Sequence, residues 1–476
     1  MMKRKLAALL LAMMMAATAC GQTTGTNSNT GTDSQSAADT VKEDSGNESQ
    51  ENSQTETGKT VTVSENGQAV VKTVGTAASV ISDKYSNRDK NASWSQTGST
   101  QITFNGNDVS VTGNGAALTG NQLIISAEGT YVLSGSWSDG QIIVEAADTA
   151  KVQIVLNGAD ITSQTGSVLQ IKTADKVFLT LADGTVNQMT DAESYADTSE
   201  TAADAAIYSK TDLTINGGTM TVNAADDTLH SNGSITIQAG SLTLTSGDDG
   251  IHAETDLNIT GSAVIDITNS VEGLEAKVVN ISGGTVNVNA SDDGINATDG
   301  TASTGGFGGG MDQVQEGVAV NISGGVITVN AQGDGLDSNG NVTVSGGTTV
   351  IYGPANNGNG SLDYNGTADI SGGTFIAAGS SGMYQGFSQN SSQSSVAFYH
   401  NGSAGEQLTL ADSAGKVIAS FPGVKNYQVV LISTGRLKTG TSYTVYTGGT
   451  LSETGSGAVT GGTIKNGAAV MTVTAE

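Results

Sequence analysis

A phrase of 22 residues recurs down the middle of the chain and constrains its fold more than any other feature. It reads LTINGGTMTVNAADDTLHSNG from Leu213, ITIQAGSLTLTSGDDGIHAET from Ile235 and LNITGSAVIDITNSVEGLEAK from Leu257. VNISGGTVNVNASDDGINATDG follows from Val279, then VNISGGVITVNAQGDGLDSNG from Val320 and VTVSGGTTVIYG from Val342. A fixed period of this size marks a stacked architecture, in which each copy buries its apolar face against the next. Within one copy, Leu213-Thr214-Ile215 alternates, Asn216-Gly217-Gly218 turns, Thr219 to Val222 alternates again, and a short strand follows around Leu229. Three short strands and three turns predict one coil of a right-handed parallel β-helix, with equivalent strands about 4.8 Å apart. A β-propeller blade needs roughly 40–45 residues and four strands, which this phrase does not supply.

The flanks set the domain organisation. Lys3, Arg4 and Lys5 precede an apolar run from Leu6 to Ala16, and Ala17-Thr18-Ala19 lead to Cys20, the single cysteine. The run is too short to span a bilayer and predicts a removable signal peptide over residues 1–20. Cys20 after small residues is the expected lipidation site of a bacterial lipoprotein. Residues 21–95 read as a disordered tether, most clearly over 21–60, where large apolar side chains are nearly absent. The coils are expected over 96–386, with surface insertions at Gln188–Asp204 and Thr298–Gly317. A small antiparallel β module is expected over 387–476, placed to cap the last coil. The fold class is therefore all-β. A net charge of −27 excludes nucleic acid and anionic membrane surfaces as partners and favours cations. The expected location is the extracellular face of the cell membrane, reached only through the lipid anchor, and the expected state is a monomer.

Aligning the copies on [D/E]-G-[I/L] gives a column of acids: Asp226 and Asp227, Asp248 and Asp249, Glu272, Asp292 and Asp293, and Asp334. Stacked carboxylates about 5 Å apart repel by about 1 kcal/mol per pair even in water. A cation between coils relieves this, and calcium suits it as a hard ion that takes six to eight oxygen ligands. Asp-Gly and Asp-Asp also form turns readily, but Asn or Ser would turn as well. One step past each apolar residue runs a second column, His230, His252, Glu275, Asn296, Asp337 and Asp363, which strand alternation points outward. It reads as a polar exposed face; acid–base work or transition-metal binding by His230 and His252 is the alternative.

The DLTING and NISGGTV coils, the entry Tyr208-Ser209-Lys210-Thr211-Asp212-Leu213 and the exit IAAGSSGMYQGFS from Ile376 resemble a bacterial extracellular carbohydrate-binding β-helix family. That family is similar to pectate-lyase solenoids and often carries a lipoprotein signal; the resemblance spans about residues 95–450. It implies calcium-bearing coils and binding of cell-wall polysaccharide, with cellulose or polygalacturonate-like acidic sugars as candidates. Tyr352, Tyr364 and Tyr384, with His252, are the candidate carbohydrate contacts. Catalysis is not expected: a uronate lyase needs a strong base beside its calcium, yet no arginine lies between Arg88 and Arg436 and no lysine between Lys277 and Lys416. A calcium-dependent pectate lyase-like enzyme or a glycosidase is the alternative, and an adhesin or spacer is a third reading.

Overall fold

The computed structural model describes residues 61–63, 69–71, 85–195, 199, 202–301, 313–453 and 457–476. Two units are distinguished, Met1–Thr76 and Ala77–Glu476. In the first, Val61–Val63 pairs antiparallel with Ala69–Val71. The signal peptide and Cys20 lie outside the described residues, as does most of the expected tether. The second unit is built of strands, and no helix occurs among the described residues.

The predicted register is present residue for residue. Val152, Val177, Leu213, Ile235, Leu257, Val279, Val320, Val342 and Ala368 follow one another across parallel ladders. All nine are 0% exposed, so the apolar positions of the phrase form one continuous internal column. Because the side-chain period of a strand is two, one correct register fixes every inward position at once. Outward positions stack just as strictly: Asn258 donates to Thr236 at 3.4 Å, Asn280 to Asn258 at 3.0 Å, and Asn321 to Asn280 at 3.0 Å. The last step crosses 41 residues, so the insertion after Thr298 leaves the stack without disturbing it.

The glycine after each corner acid has a steric cause. A Cβ at Gly250, Gly273, Gly294 or Gly335 would come within 2.7 Å of a carbonyl oxygen of the following coil. In the first copy Thr228 occupies this place, and its hydroxyl donates to the carbonyl of Gly250.

Three boundaries differ from expectation. The tether does not extend to 95: Asp89 is 1% exposed, salt-bridged to Lys176 at 2.6 Å and accepting from the Thr214 hydroxyl at 2.5 Å. The first insertion starts after Thr190, the end of the strand Lys176–Thr190, and Asp204 is buried in the coil stack. The C-terminal strands are continuous with the coils, because Tyr427–Thr434 pairs antiparallel with the last coil strand, Ala368–Gly379, and Ser395–Gly402 pairs with it in turn. They pair along the edge of the last parallel strand, Ala368–Gly379. A further sheet, Val417–Pro422, Gln407–Ala411, Ser442–Thr447 and Ala468–Thr474, packs into a second core that includes Phe421 and Tyr443.

We predict that Gly294→Ala lowers the unfolding free energy by about 1–3 kcal/mol through overpacking. Gly457→Ala, where an added Cβ meets nothing within 4 Å, should leave it unchanged. Urea denaturation of the two variants checks this.

Candidate cation-binding cleft

Backbone hydrogen bonds between coils set the acids in line. Asp227 N donates to Asp204 O, Thr228 N to Asp249 O, Gly250 N to Glu272 O, Gly273 N to Asp293 O, and Gly294 N to Asp334 O. Asp227, Asp249, Glu272, Asp293 and Asp334 therefore form one column, and Asp204, one position before the Ala205 that pairs with Asp227, stands beside its start. Three residues beyond Asp227, Asp249, Glu272, Asp293 and Asp334 stand His230, His252, Glu275, Asn296 and Asp337, a second column whose register also takes in Tyr208 before them and Asp363 after them. Side chains of the two columns meet along the stack. The second column is not an open polar face: His230 is 6% and Asn296 9% exposed.

Burial makes the stacked acids costly. Two carboxylate charges 4.8 Å apart repel by about 3 kcal/mol at an effective dielectric of 20. The chain answers this differently at the two ends of the cleft. At the first end, His230 Nδ1 lies 2.6 Å from Asp204 and 3.4 Å from Asp227, and His252 Nδ1 lies 3.6 Å from both Asp227 and Asp249. Burial alone would lower the His230 pKa, but Asp204 and Asp227 raise it to about 10. Burial likewise works against the Asp227 carboxylate, and the two imidazoles more than offset it, holding Asp227 below the usual carboxylate range.

Beyond His252 the second column carries Glu275, Asn296 and Asp337 in place of the imidazoles, and the acids shift the other way. Asp293 is pushed up to about 7 by burial, then by Glu272 and Asp334; Asp337 is pushed up to about 8 by burial, then by Asp293 and Asp334. Burial and the proton shared with Glu272 raise Glu275, and burial and Asp227 raise Asp249. In the outer line Asp226 reaches about 7 through burial, then Asp227 and Asp248.

Three sets of carboxylate oxygens lie within 4.8 Å of one another: Asp226 with Asp227 and Asp248, Asp249 with Glu272 and Glu275, and Asp293 with Asp334 and Asp337. Two oxygens on opposite sides of one calcium stand about 4.8 Å apart, so these spacings fit around a single ion. Further hydrogen bonds hold the frame: Asp249 N donates to Asp227 at 2.9 Å, Asp334 N to Asp293 at 2.7 Å, and Asn296 to Glu272 at 2.7 Å.

Seven of the eight acids anticipated from the sequence fall into these sets; Asp292 does not. Glu275 and Asp337, outward-column residues by strand alternation, complete two of the sets. Asp204, the last residue of the expected insertion, instead stands directly before the ladder in which Ala205 pairs with Asp227. His252 does stand in the cleft. The tyrosines do not present sugar platforms: Tyr352 is 5% exposed within the second core, the Tyr364 hydroxyl donates to Gly386 O at 2.7 Å, and Tyr384 is packed on the main core.

Residues 119–351 match a family model described as "Carbohydrate-binding domain-containing protein". That segment contains the cleft from Asp204 to Asp337. A carbohydrate-binding domain-containing protein of Acetivibrio thermocellus is 43% identical over 102 residues, covering 21% of this chain. The chain spans about a third, 36%, of that relative's length. A polysaccharide lyase-like protein from C. thermocellum, solved as a gadolinium derivative, aligns at 27% identity over 57% of this chain and 97% of that one, with a TM-score of 0.42.

The shifted groups predict a pH dependence with a definite sign. Asp226, Asp293 and Asp337 hold protons in the folded chain up to about pH 7–8, whereas the unfolded carboxylates lose theirs near pH 4. Between those limits the folded state binds more protons, so stability falls as pH rises. His230 acts in the same direction between its unfolded value near 6.5 and its folded value of about 10. In chelator, the melting temperature should therefore decline steadily from pH 5 to pH 9, and added calcium should restore it at the upper end. Asp293→Asn keeps an acceptor for Asp334 N. It should raise the melting temperature in chelator and shrink the calcium increment; an unchanged increment would exclude this set as a cation site.

Proposed function

We propose that the chain is a right-handed parallel β-helix that binds plant cell-wall polysaccharide, cellulose-like or acidic, through a calcium-loaded cleft on its coils. The observation that carries this reading is the pair of carboxylate sets beyond His252. Their acids are buried or half-buried and held in fixed frames, and the carbohydrate-binding family match covers the same coils. Calcium in such a set keeps water ligands that sugar hydroxyls or carboxylates can replace. Lipid anchoring through Cys20 would hold the coils at the outer surface, within reach of extracellular polymer.

Catalysis is the second reading, and one residue keeps it open. Lys277 lies two positions beyond Glu275 on the strand Leu274–Ala290, so both side chains point to the same side of that strand. A lysine near bound calcium is the chemistry that uronate elimination requires.

Pull-down on insoluble cellulose and on covalently cross-linked pectin, with and without chelator, tests the proposal. Retention should fall by about tenfold or more in chelator and in the Asp293→Asn, Asp334→Asn double variant, the equivalent of about 1.4 kcal/mol. Retention on neither polymer would overturn the binding reading. Incubation with polygalacturonate and calcium, followed at the absorbance of unsaturated uronides, separates the two readings: product formation abolished by Lys277→Met would establish a lyase.

A further inference from the structure

Past Asp334 and Asp337 both columns reach a common end, and its chemistry differs from the rest. Gly335 N donates to Gly360 O, so Gly360 follows Asp334 in the line of corners, and its own N donates to the Asp334 carboxylate. A Cβ on Gly360 would stand 2.6 Å from the Met383 carbonyl, which places the exit segment directly beyond this corner. In the second column Asp337 pairs with Asp363, and Gln385, 22 residues further on, donates to the Asp363 carboxylate at 2.5 Å. Met383 therefore closes one column, Gln385 closes the other, and Tyr384 stands between them. The strand Ser395–Gly402 comes in beside this segment. Tyr399 pairs with Val429 and Val429 with Gly379, so the three share one face of the sheet. Val429 and Tyr384 line the same small cavity, and Tyr399 is one of the groups that push the Tyr384 hydroxyl up, after burial. Met383 is 46% exposed; Tyr399, at 68%, is the one strongly exposed aromatic side chain among the described residues.

We propose that Tyr399 is a stacking subsite at this end of the columns, taking a pyranose ring of a neutral β-linked glucan chain. The inference rests on the glycan-binding reading above and adds the sugar class to it. Gln385 lies two coil steps past Asp337, about 10 Å at the strand spacing, so a short oligosaccharide held at the last carboxylate set reaches Tyr399. An aromatic face is electron-rich and attracts polarised C–H bonds. A β-linked glucose ring carries its substituents equatorially and presents flat C–H faces that match it. The charges nearby select against a uronate. Asp363 stands at Gln385, and Glu476 pairs with Ser395 at the start of the Tyr399 strand, at 2.9 and 3.1 Å. Neither acid belongs to a carboxylate set that gathers around an ion, so an acidic sugar here would face them without calcium between. The platform is also held in place, as such a contact requires. Phe387 packs edge-on to Phe375 with centroids 5.0 Å apart, and Ser381 N donates to Gln428 Oε1 at 3.1 Å, tying the exit segment to the strand that pairs with Tyr399.

The test measures retention of the full chain on insoluble cellulose and on covalently cross-linked pectin, both in excess calcium. Tyr399→Ala should lower retention on cellulose about tenfold, the equivalent of about 1.4 kcal/mol, and leave retention on pectin unchanged. Tyr399→Phe keeps the ring and loses only the hydroxyl, so it should be retained as the wild-type chain is. The calcium increment in melting temperature should be the same for all three chains, because Tyr399 belongs to none of the carboxylate sets. Hydroxyl-radical footprinting with soluble cello-oligosaccharides reads the site directly: oxidation of Tyr399 should fall when they bind. Equal retention of Tyr399→Ala and wild type on cellulose, an equal loss on both polymers, or wild-type retention on pectin alone would each exclude the subsite and leave the calcium reading standing. A wild-type chain retained on neither polymer would sink both.

Discussion

Stacking coils about 4.8 Å apart places every side chain on top of its own counterpart, and the rest of the molecule follows from how each residue type tolerates that. Apolar residues tolerate it best, and the internal column from Val152 to Ala368 is the result. Asparagine tolerates it because its amide both donates and accepts: Asn258, Asn280 and Asn321 form a ladder in which each satisfies the next. An ionised carboxylate only accepts. Repeating it down the stack accumulates charge with nothing in the repeat to relieve it, so a corner acid demands a partner that the phrase itself does not supply.

That demand is met locally, and the cleft is graded as a consequence. Where the column three residues beyond the acids carries His230 and His252, imidazoles stand between the carboxylates. Where it carries Glu275 and Asp337, the second column adds negative charge, and the acids respond by holding protons. The same position in the repeat thus decides whether a coil compensates its own corner with an imidazole or leaves its acids holding protons. Coil architecture and site chemistry are consequently separable, since the apolar residues that fix the stack do not change between the two ends.

The period, the register and the acidic corner were legible in the sequence because each is periodic, and periodic signals survive without tertiary information. What escaped was the meeting of two columns. Glu275 and Asp337 alternate outward on their strands, but their carboxylates come within 4.8 Å of the corner acids, a relation that strand alternation does not contain. The tyrosines failed for a related reason. Asn330 is followed in its column by Tyr352 and Ala378, and Thr328 by Val350 and Ile376. An outward column that turns from polar to apolar signals a covering layer, and the C-terminal strands supply it through Val430 and Ile432. Read that way, Tyr352 belongs to packing rather than to sugar stacking.

The charge balance of the cleft also ranks its ligands. Each set beyond His252 brings three carboxylates toward a divalent ion, so a loaded set in which all three are ionised keeps a net negative charge. A uronate then meets calcium through a residual repulsion, whereas a neutral glucan hydroxyl replaces a calcium-bound water without that penalty. The protons held by Asp293 and Asp337 near neutral pH change the balance: each one retained brings a loaded set closer to neutral and admits an acidic sugar more readily. In the proposed reading, preference between neutral and acidic polymers is therefore a property of how many protons the cleft keeps when the ion binds, and it should tilt toward neutral polymers as pH rises.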